Sequence, residues 1–486
     1  MYICKIGGNR KPVDEESAWS EYGDGVFCGG LCDNPLPLPP ASAYYLQQHG
    51  DAKGEGTMIP HPMRLSAYKQ FLLSAFWFAI NLLWGGLLMI IIPSQIKEIS
   101  PLAPAQTLGF ILGVGAFPAV IIPLVVGPFS DRCRYKWGRR RPYMLGGTIV
   151  NLLGLWVIWF AGYRLNIWLY FLGYLIVQVG NNIATAAYSG IIPDIVPEAQ
   201  KGEASGWMAM MSQLGTIAGA GVSGILMRYG HPGDCFLFIG CSLAFFLWIT
   251  VAGTKEKPLS VPPMRIPFRD AVRSLWIDPR KNPDFAWVWI TRAFVVMALW
   301  TIQEYLQYYL TDVVHVSDKN KEIVTAELLI CILLCASVTG IIGGVISDRI
   351  GRKKVVYASN ILIAALAITM PFVHTLTLVF ALGSLLGMGY GAYYSVDWAL
   401  VCDVLPNPED NAKDMAVWHI ALVLPQSVAM PIAGWLLGSF GGRSALSRSG
   451  ETIMHYSQSG YEALFALTAL YLILGTLLLR NVKGVR

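Results

Sequence analysis

Three ionisable residues, Arg292, Glu304 and Asp397, stand inside long apolar runs of this 486-residue sequence, and each needs a chemical reason to be there. An ionisable group at that depth in a membrane costs at least about 2.5 kcal/mol on insertion scales. Arg292 and Glu304 share the run WVWITRAFVVMALWTIQEYLQYYLTD. They are separated by about 18 Å of helix, so they cannot pair within one straight helix. Glu304 lies deeper and is the best candidate for a group that loads and releases a proton; the alternative is a structural hydrogen bond to a neighbouring helix. Arg292 is a candidate for the same coupling, or it snorkels from a helix end. Asp397 shares a helical face with Tyr390 and Tyr394 in GMGYGAYYSVDWALVCD. Such a face suits a sugar, whose C–H patches stack while its hydroxyls donate to an acid, and it also suits an organic cation. Asp397 could equally be a gate or a salt-bridge partner.

A second polar face lies in YFLGYLIVQVGNNIATAAYSGIIPDIVP. Gln178, Asn181 or Asn182, Thr185 and Ser189 recur at three and four residues and so line one side of a helix. Polar side chains at mid-membrane depth face a cavity or glue helices together. Gln178, Asn181, Asn182 and Thr185 are therefore candidate substrate ligands.

The elements that must carry these residues are membrane helices. The chain is 54% hydrophobic and 14% charged. A soluble chain carries about 25% charged residues. Its mean hydropathy is +0.49. Twelve apolar segments, near 68–93, 105–128, 142–162, 166–191, 204–227, 235–253, 285–310, 324–346, 355–374, 376–402, 414–438 and 461–479, each approach the length a helix needs to cross the hydrocarbon. The expectation is an all-α membrane protein. Residues 1–66 read as a polar, disordered cytoplasmic tail, 67–253 as one six-helix half, 254–284 as a cytoplasmic linker and 285–486 as the second half.

Basic residues mark one side. GPFSDRCRYKWGRRRP, between spans 2 and 3, carries six of them; the 254–284 segment carries seven; Arg349, Arg352, Lys353 and Lys354 follow span 8. By the positive-inside rule these loops and both termini are cytoplasmic. The halves also echo one another. GPFSDR at 127–132 recurs as GVISDR at 344–349, and PDIVPE at 193–198 matches CDVLPN at 402–407. Parallel repeats of this kind are a common transporter construction.

GVISDRIGRK, and GPFSDRCRYKWGRR with four extra residues, resemble the signature of the major facilitator superfamily across about residues 67–480. The long form of the first copy resembles the sucrose–proton symporters and their glycoside–cation relatives. The resemblance implies alternating access, with substrate between the halves and a latch made by Gly127, Asp131, Arg132, Gly138, Arg139, Arg140 and Asp194. Gly344, Asp348, Arg349, Gly351, Arg352 and Asp403 form its second copy. Gly127 and Gly344 are expected to let helices approach closely. The aspartates, at helix ends among arginines, are expected to hold helices that must later separate. Asn181, Asn182 and Asp194 match the sucrose symporters, but Gln178 and Ser189 stand where that branch has an acid and an arginine. Glutamine does not titrate, so proton coupling must move to another acid, or the protein lacks it.

The expected function is sugar or glycoside symport with protons or another cation. A proton-coupled exporter of amphipathic compounds and a non-transporting sensor are the alternatives. The partners are then a small-molecule substrate, the coupling ion and the lipid bilayer of a plasma or bacterial inner membrane, with the protein a monomer. No cofactor, metal or nucleic acid is expected. Cys28 and Cys32 lack a second pair of ligands. GAGVSG, at 219–224, follows no strand and reads as helix packing, not dinucleotide binding.

Overall fold

The computed structural model describes residues 65–197, 200–254, 256, 277–405, 411–440, 442–446 and 452–484. Most of the expected tail and linker lies outside these residues. Among them are twelve helices long and apolar enough to cross a membrane. They are α1 (Ala67–Ile99), α2 (Pro104–Ser130), α3 (Arg141–Tyr163), α4 (Ile167–Tyr188), α5 (Lys201–Tyr229), α6 (Pro232–Gly253), α7 (Pro283–Asp312), α8 (Lys321–Ile350), α9 (Arg352–Phe372), α10 (Leu376–Val404), α11 (Asn411–Ser439) and α12 (Gln458–Leu479). The helices match the expected spans in number and order. The largest boundary difference is in α1, which continues past Pro93 to Ile99. Proline removes a backbone donor and crowds the carbonyl four residues earlier. The chain accommodates Pro93 with a π-helical turn at Leu87–Ile91 and then resumes as α-helix.

One element departs from an all-helical chain. Between α11 and α12, β1 (Gly442–Leu446) pairs antiparallel with β2 (Thr452–Tyr456), Gly442 opposite Tyr456 and Leu446 opposite Thr452. This hairpin sits at the end of the bundle away from the basic loops, where its Met454 N–H donates to the Pro101 carbonyl between α1 and α2.

Small residues set the helix spacing. In α5, a side chain at Gly219 would collide with the Leu82 carbonyl of α1, and one at Gly224 with Ala326 of α8. The GAGVSG segment is thus a packing surface. Gly109 of α2 abuts the Met430 carbonyl of α11 and the Tyr305 hydroxyl of α7, so the first and second halves meet there backbone to backbone. Gly127 differs from expectation: nothing lies within 4 Å of where its side chain would be. Close approach in this half falls to other glycines, among them Gly109 of α2, Gly180 of α4 and Gly219 of α5. The signature glycines that matter conformationally are Gly138 and Gly351, at φ +120° and +101°. Each turns the chain into the helix that follows, at equivalent places in the two halves, in a backbone region that other residues enter only with strain.

Candidate functional site

Where the halves meet, α2, α4, α7 and α11 bring a set of polar side chains to one level. Tyr305 donates from its hydroxyl to the Ala105 carbonyl of α2 and the Met430 carbonyl of α11, both at 3.1 Å. The adjacent Glu304 is fully buried, and neither carboxylate oxygen has a protein hydrogen-bond partner. The side chain of neighbouring Gln303 lies close to the carboxylate, short of hydrogen-bond geometry. Across the seam, Tyr174 of α4 lies within electrostatic range of Glu304 and packs against Gly115 of α2. Gln178 donates to the Tyr174 hydroxyl at 2.8 Å, and Asn182 donates back to Gln178 Oε1 at 3.2 Å and to its carbonyl at 2.8 Å. Two of the expected polar positions, Gln178 and Asn182, thus join Tyr174 in a hydrogen-bonded chain, Asn182–Gln178–Tyr174, whose tyrosine lies within electrostatic range of Glu304. Asn181 is buried next to it, and Thr185 has a buried hydroxyl without a partner.

Sequence reasoning passed over other residues at this level. Gln307, one turn beyond Glu304, is 1% exposed with both amide atoms unpartnered. Gln426 and Ser427, one turn before Met430 in α11, bury an unpartnered amide nitrogen and hydroxyl. Pro425 and Pro431 flanking them were the available signal, because proline inside a membrane helix frees backbone groups where a cavity or neighbour takes them up.

A second cluster lies nearer the basic loops, inside the second half. Arg292 does not snorkel: it is 3% exposed, ion-paired with Asp397 of α10, and its guanidinium lies 4.5 Å from the Trp418 ring of α11. Tyr393 donates to Asp397 at 3.1 Å. Tyr390 and Tyr394 lie beside it with ring centroids 5.7 Å apart and planes tilted by 43°, and Tyr394 is the open member of this wall at 45% exposed. The pair neutralises two charges that neither helix could bury alone.

The basic end holds the signature residues. Arg139 and Arg140, entering α3, both bind Asp194; Arg140 Nε is 2.6 Å from its carboxylate, and Arg140 also reaches the Ser130 hydroxyl and the Ala187 carbonyl. Gly190 leaves room for that guanidinium. In the second half Arg352 Nε is 2.5 Å from Asp403, with Asp348 a longer 3.9 Å away. Burial pushes the Asp403 carboxyl above the usual carboxylate range, and Arg352 opposes that shift. Each pair lies within one half. Arg132 is half-buried, Arg349 is exposed and Gly344 is buried in α8. The side chain of Asp131 lies outside the described residues.

The opposite end joins the halves. Asp312, at the tip of α7, is 3.6 Å from Lys97 of α1 and 2.8 Å from His455 Nδ1 of the hairpin. It also accepts from the Tyr456 N–H at 3.0 Å and the Tyr461 hydroxyl at 2.7 Å. Ser94 of α1 donates to Glu322 of α8 at 2.5 Å, and the Tyr308 hydroxyl to the Pro93 carbonyl at 3.0 Å. The bundle is therefore tied shut at the hairpin end.

Known proteins agree with this architecture. The family model for MFS/sugar transport proteins matches residues 102–479. An uncharacterised MFS-type transporter of Methanocaldococcus jannaschii is 23% identical over 379 residues, covering 76% of this chain and 88% of that protein. A sucrose transport protein of Oryza sativa subsp. japonica is 30% identical over 154 residues, 25% of this chain and 29% of that protein, so the match spans less than a third of its length. Among solved structures, a bacterial homologue of the human lysosomal transporter Spinster, inward-facing and unoccupied, aligns with TM-score 0.64 and 16% identity over 86% of this chain and 98% of that one. The nucleoside transporter NupG aligns with TM-score 0.61 and 11% identity over 85% of this chain and 98% of that one. With twelve membrane helices in two six-helix halves and a family model matched over most of its length, this chain belongs to the MFS/sugar transport protein family, as an integral multi-pass transporter and not an enzyme.

Proposed function

We propose that the protein carries a sugar or glycoside together with a proton, alternating between openings at the two ends of the bundle, and that Glu304 carries the proton. The observation that bears the most weight is the Glu304 carboxylate, fully buried at the seam and without a hydrogen-bond partner. An anion there is desolvated with nothing in return. A group whose surroundings change as the seam opens and closes can take up a proton in one state and lose it in the other. Gln178 stands where the sucrose-symporter branch has its acid and bonds to Tyr174, which is within electrostatic range of Glu304 across the seam, so on this reading the titrating group has moved to another helix. The polar groups Gln178, Asn182, Gln307, Gln426 and Ser427 on the helices at the seam favour a hydroxylated substrate over a lipophilic cation, which would call for an oily cavity. The sugar-transport family model and the partial match to sucrose transport proteins support the same substrate class. Basic loops and both termini then face the cytoplasm, and the ties at the hairpin end support reading this as a state closed on the outer side; the Spinster homologue is inward-facing.

Uptake of labelled sucrose and maltose into proteoliposomes, with and without an inward proton gradient, tests this. Gradient-driven accumulation is expected for the parent protein. Glu304→Gln should abolish accumulation above equilibrium while sugar counterflow persists. Equal accumulation by parent and variant would remove Glu304 from coupling, and no uptake of either sugar by the parent would overturn the substrate assignment.

A further inference from the structure

The outer faces of α3 and α6 are apolar, as membrane helices require, but between them the surface is concave. A groove of about 570 Å³ lies there, with Leu152, Trp156 and Trp159 of α3 on one side and Gly233, Gly240 and Ala244 of α6 on the other. Trp156 of α3 and Leu237 of α6 are both more than half exposed, so the groove opens away from the bundle, toward lipid. We propose that it is a phospholipid site: one acyl chain of a lipid in the leaflet at the hairpin end lies in the groove, and the lipid phosphate meets Arg164.

Depth, shape and charge carry it. The α6 lining runs from Gly233 to Ala244, about 16 Å of helix. One leaflet of hydrocarbon is about 15 Å deep. The groove begins at the hairpin end, just inside the α6 cap His231 and the α3 cap Arg164, and Ala244 stands near the middle of α6. It therefore spans one leaflet and stops. Its floor is closed where α3 comes down on bare backbone: a side chain at Gly233 would meet Trp159 Nε1 at 2.9 Å, and one at Gly240 would meet Leu152 Cδ2 at 3.3 Å. Trp156 lies nearly parallel to Phe160, with ring centroids 5.8 Å apart, which holds it as a flat wall. At the mouth, Arg164 is exposed, and its side chain has no partner among the described residues. Tyr163 and Trp168 are 80% and 71% exposed at the same level. Aromatic residues so placed sit among lipid headgroups, and a guanidinium binds a phosphate through charge-assisted hydrogen bonds. Asp234, at the α6 cap, accepts from the His231 N–H at 2.8 Å instead. A sterol would suit the depth but would bring no anion to Arg164. Both helices belong to the first half, so the site bears on the cohesion of that half and stands apart from the seam and its substrate.

Native mass spectrometry of the full chain, delipidated in detergent and then given dioleoylphosphatidylglycerol, tests the site. The parent should hold one phosphatidylglycerol after more weakly bound lipid has been stripped. Ala244→Trp and Cys241→Phe fill the groove from exposed positions, so neither needs room in the core. Each should lower occupancy about tenfold, the loss expected when two buried methylenes are displaced, whereas Ala244→Ser should keep the lipid. Arg164→Gln should lower it about threefold, as for an exposed ion pair. Dioleoylglycerol, with the same chains and no phosphate, should bind the parent as weakly as phosphatidylglycerol binds Arg164→Gln. Undiminished occupancy in both filled variants, or dioleoylglycerol held as well as phosphatidylglycerol, would overturn the proposal. So would a parent that retains no lipid, or one that forms a dimer which Ala244→Trp dissociates, since the groove would then belong to a second copy of the chain.

Discussion

The two ends of the bundle are held by charged side chains in opposite ways. At the basic end, where the sequence signature is dense, Arg139 and Arg140 bind Asp194 and Arg352 binds Asp403, and both ties stay inside one half. At the hairpin end, with no recognisable motif, Asp312 gathers Lys97 from the first half and His455, Tyr456 and Tyr461 from the second. Among the described residues the signature pairs therefore do not clasp the halves to each other. They fasten the helices of each half into a unit, α3 to the end of α4 and α9 to α10. The hub at Asp312 keeps those units closed at one end. Stiffness within a half and a releasable contact between halves are what rigid-body motion about a central seam requires.

The comparison breaks most severely at Asp312. Replacing it with alanine leaves Lys97 buried without its carboxylate. Removing one partner of a buried pair costs about 3–5 kcal/mol. Asp312→Ala should show a large drop in thermal unfolding temperature in detergent. Lys97→Met with Asp312→Ala should recover much of that loss, since no lone charge is left behind. If Asp312→Ala alone unfolds at the parent's temperature, the hub does not hold this end and the contrast between the ends fails.

Arg140→Lys sharpens the other side of the contrast. The guanidinium serves Asp194, Ser130 and the Ala187 carbonyl together, which one ammonium cannot do. The loss should be about 1–3 kcal/mol, smaller than at Asp312. A tie internal to the first half should leave Asp312-dependent closure intact. With Ala105→Cys as a reporter at this buried seam, labelling by a membrane-impermeant maleimide from the hairpin side should therefore be the same with and without Arg140→Lys. Raised labelling would mean that the basic-end pair also controls the far end.

The difference between the ends also explains what could be read in advance. Twelve spans are visible because apolar length alone defines a membrane helix. Asp194 and Asp403 are visible because the two halves repeat, so each position vouches for the other. Nothing comparable marks Asp312, which closes span 7 and finds His455 and Tyr456 more than 140 residues away. The strands GRSAL and TIMHY are five residues each in a short polar connection and carry little periodicity. Arg292 and Asp397 each stand out as charges in apolar runs, but helical spacing within one run cannot show that they face each other across two helices. Gly127 was misjudged for the same reason, since a small residue permits close approach only where a neighbour comes near. Gln426 and Ser427 carry no such signal, because single polar residues in an apolar run stand out only once their unpartnered atoms are known.

The smallest effect separates the two basic-end ties from one another. Asp403 is the more exposed acid, at 36% against 24% for Asp194, yet burial still holds its carboxyl above the ordinary range. A carboxyl raised in the folded state binds its proton more tightly there than in the unfolded chain. Between the unfolded value and the raised folded one, the folded state carries more protons. Stability contributed by Asp403 is therefore greatest below that window and declines as pH rises through it. Asp403→Asn removes the titration, so its unfolding temperature relative to the parent should improve from pH 4 to pH 7. The change should be slight, because solvent screens a third-exposed group and the Arg352 bond is weakened at both pH values. If the variant instead loses ground to the parent as pH rises, the ion pair with Arg352 outweighs burial, and the second-half tie is a stronger clasp than its exposure indicates.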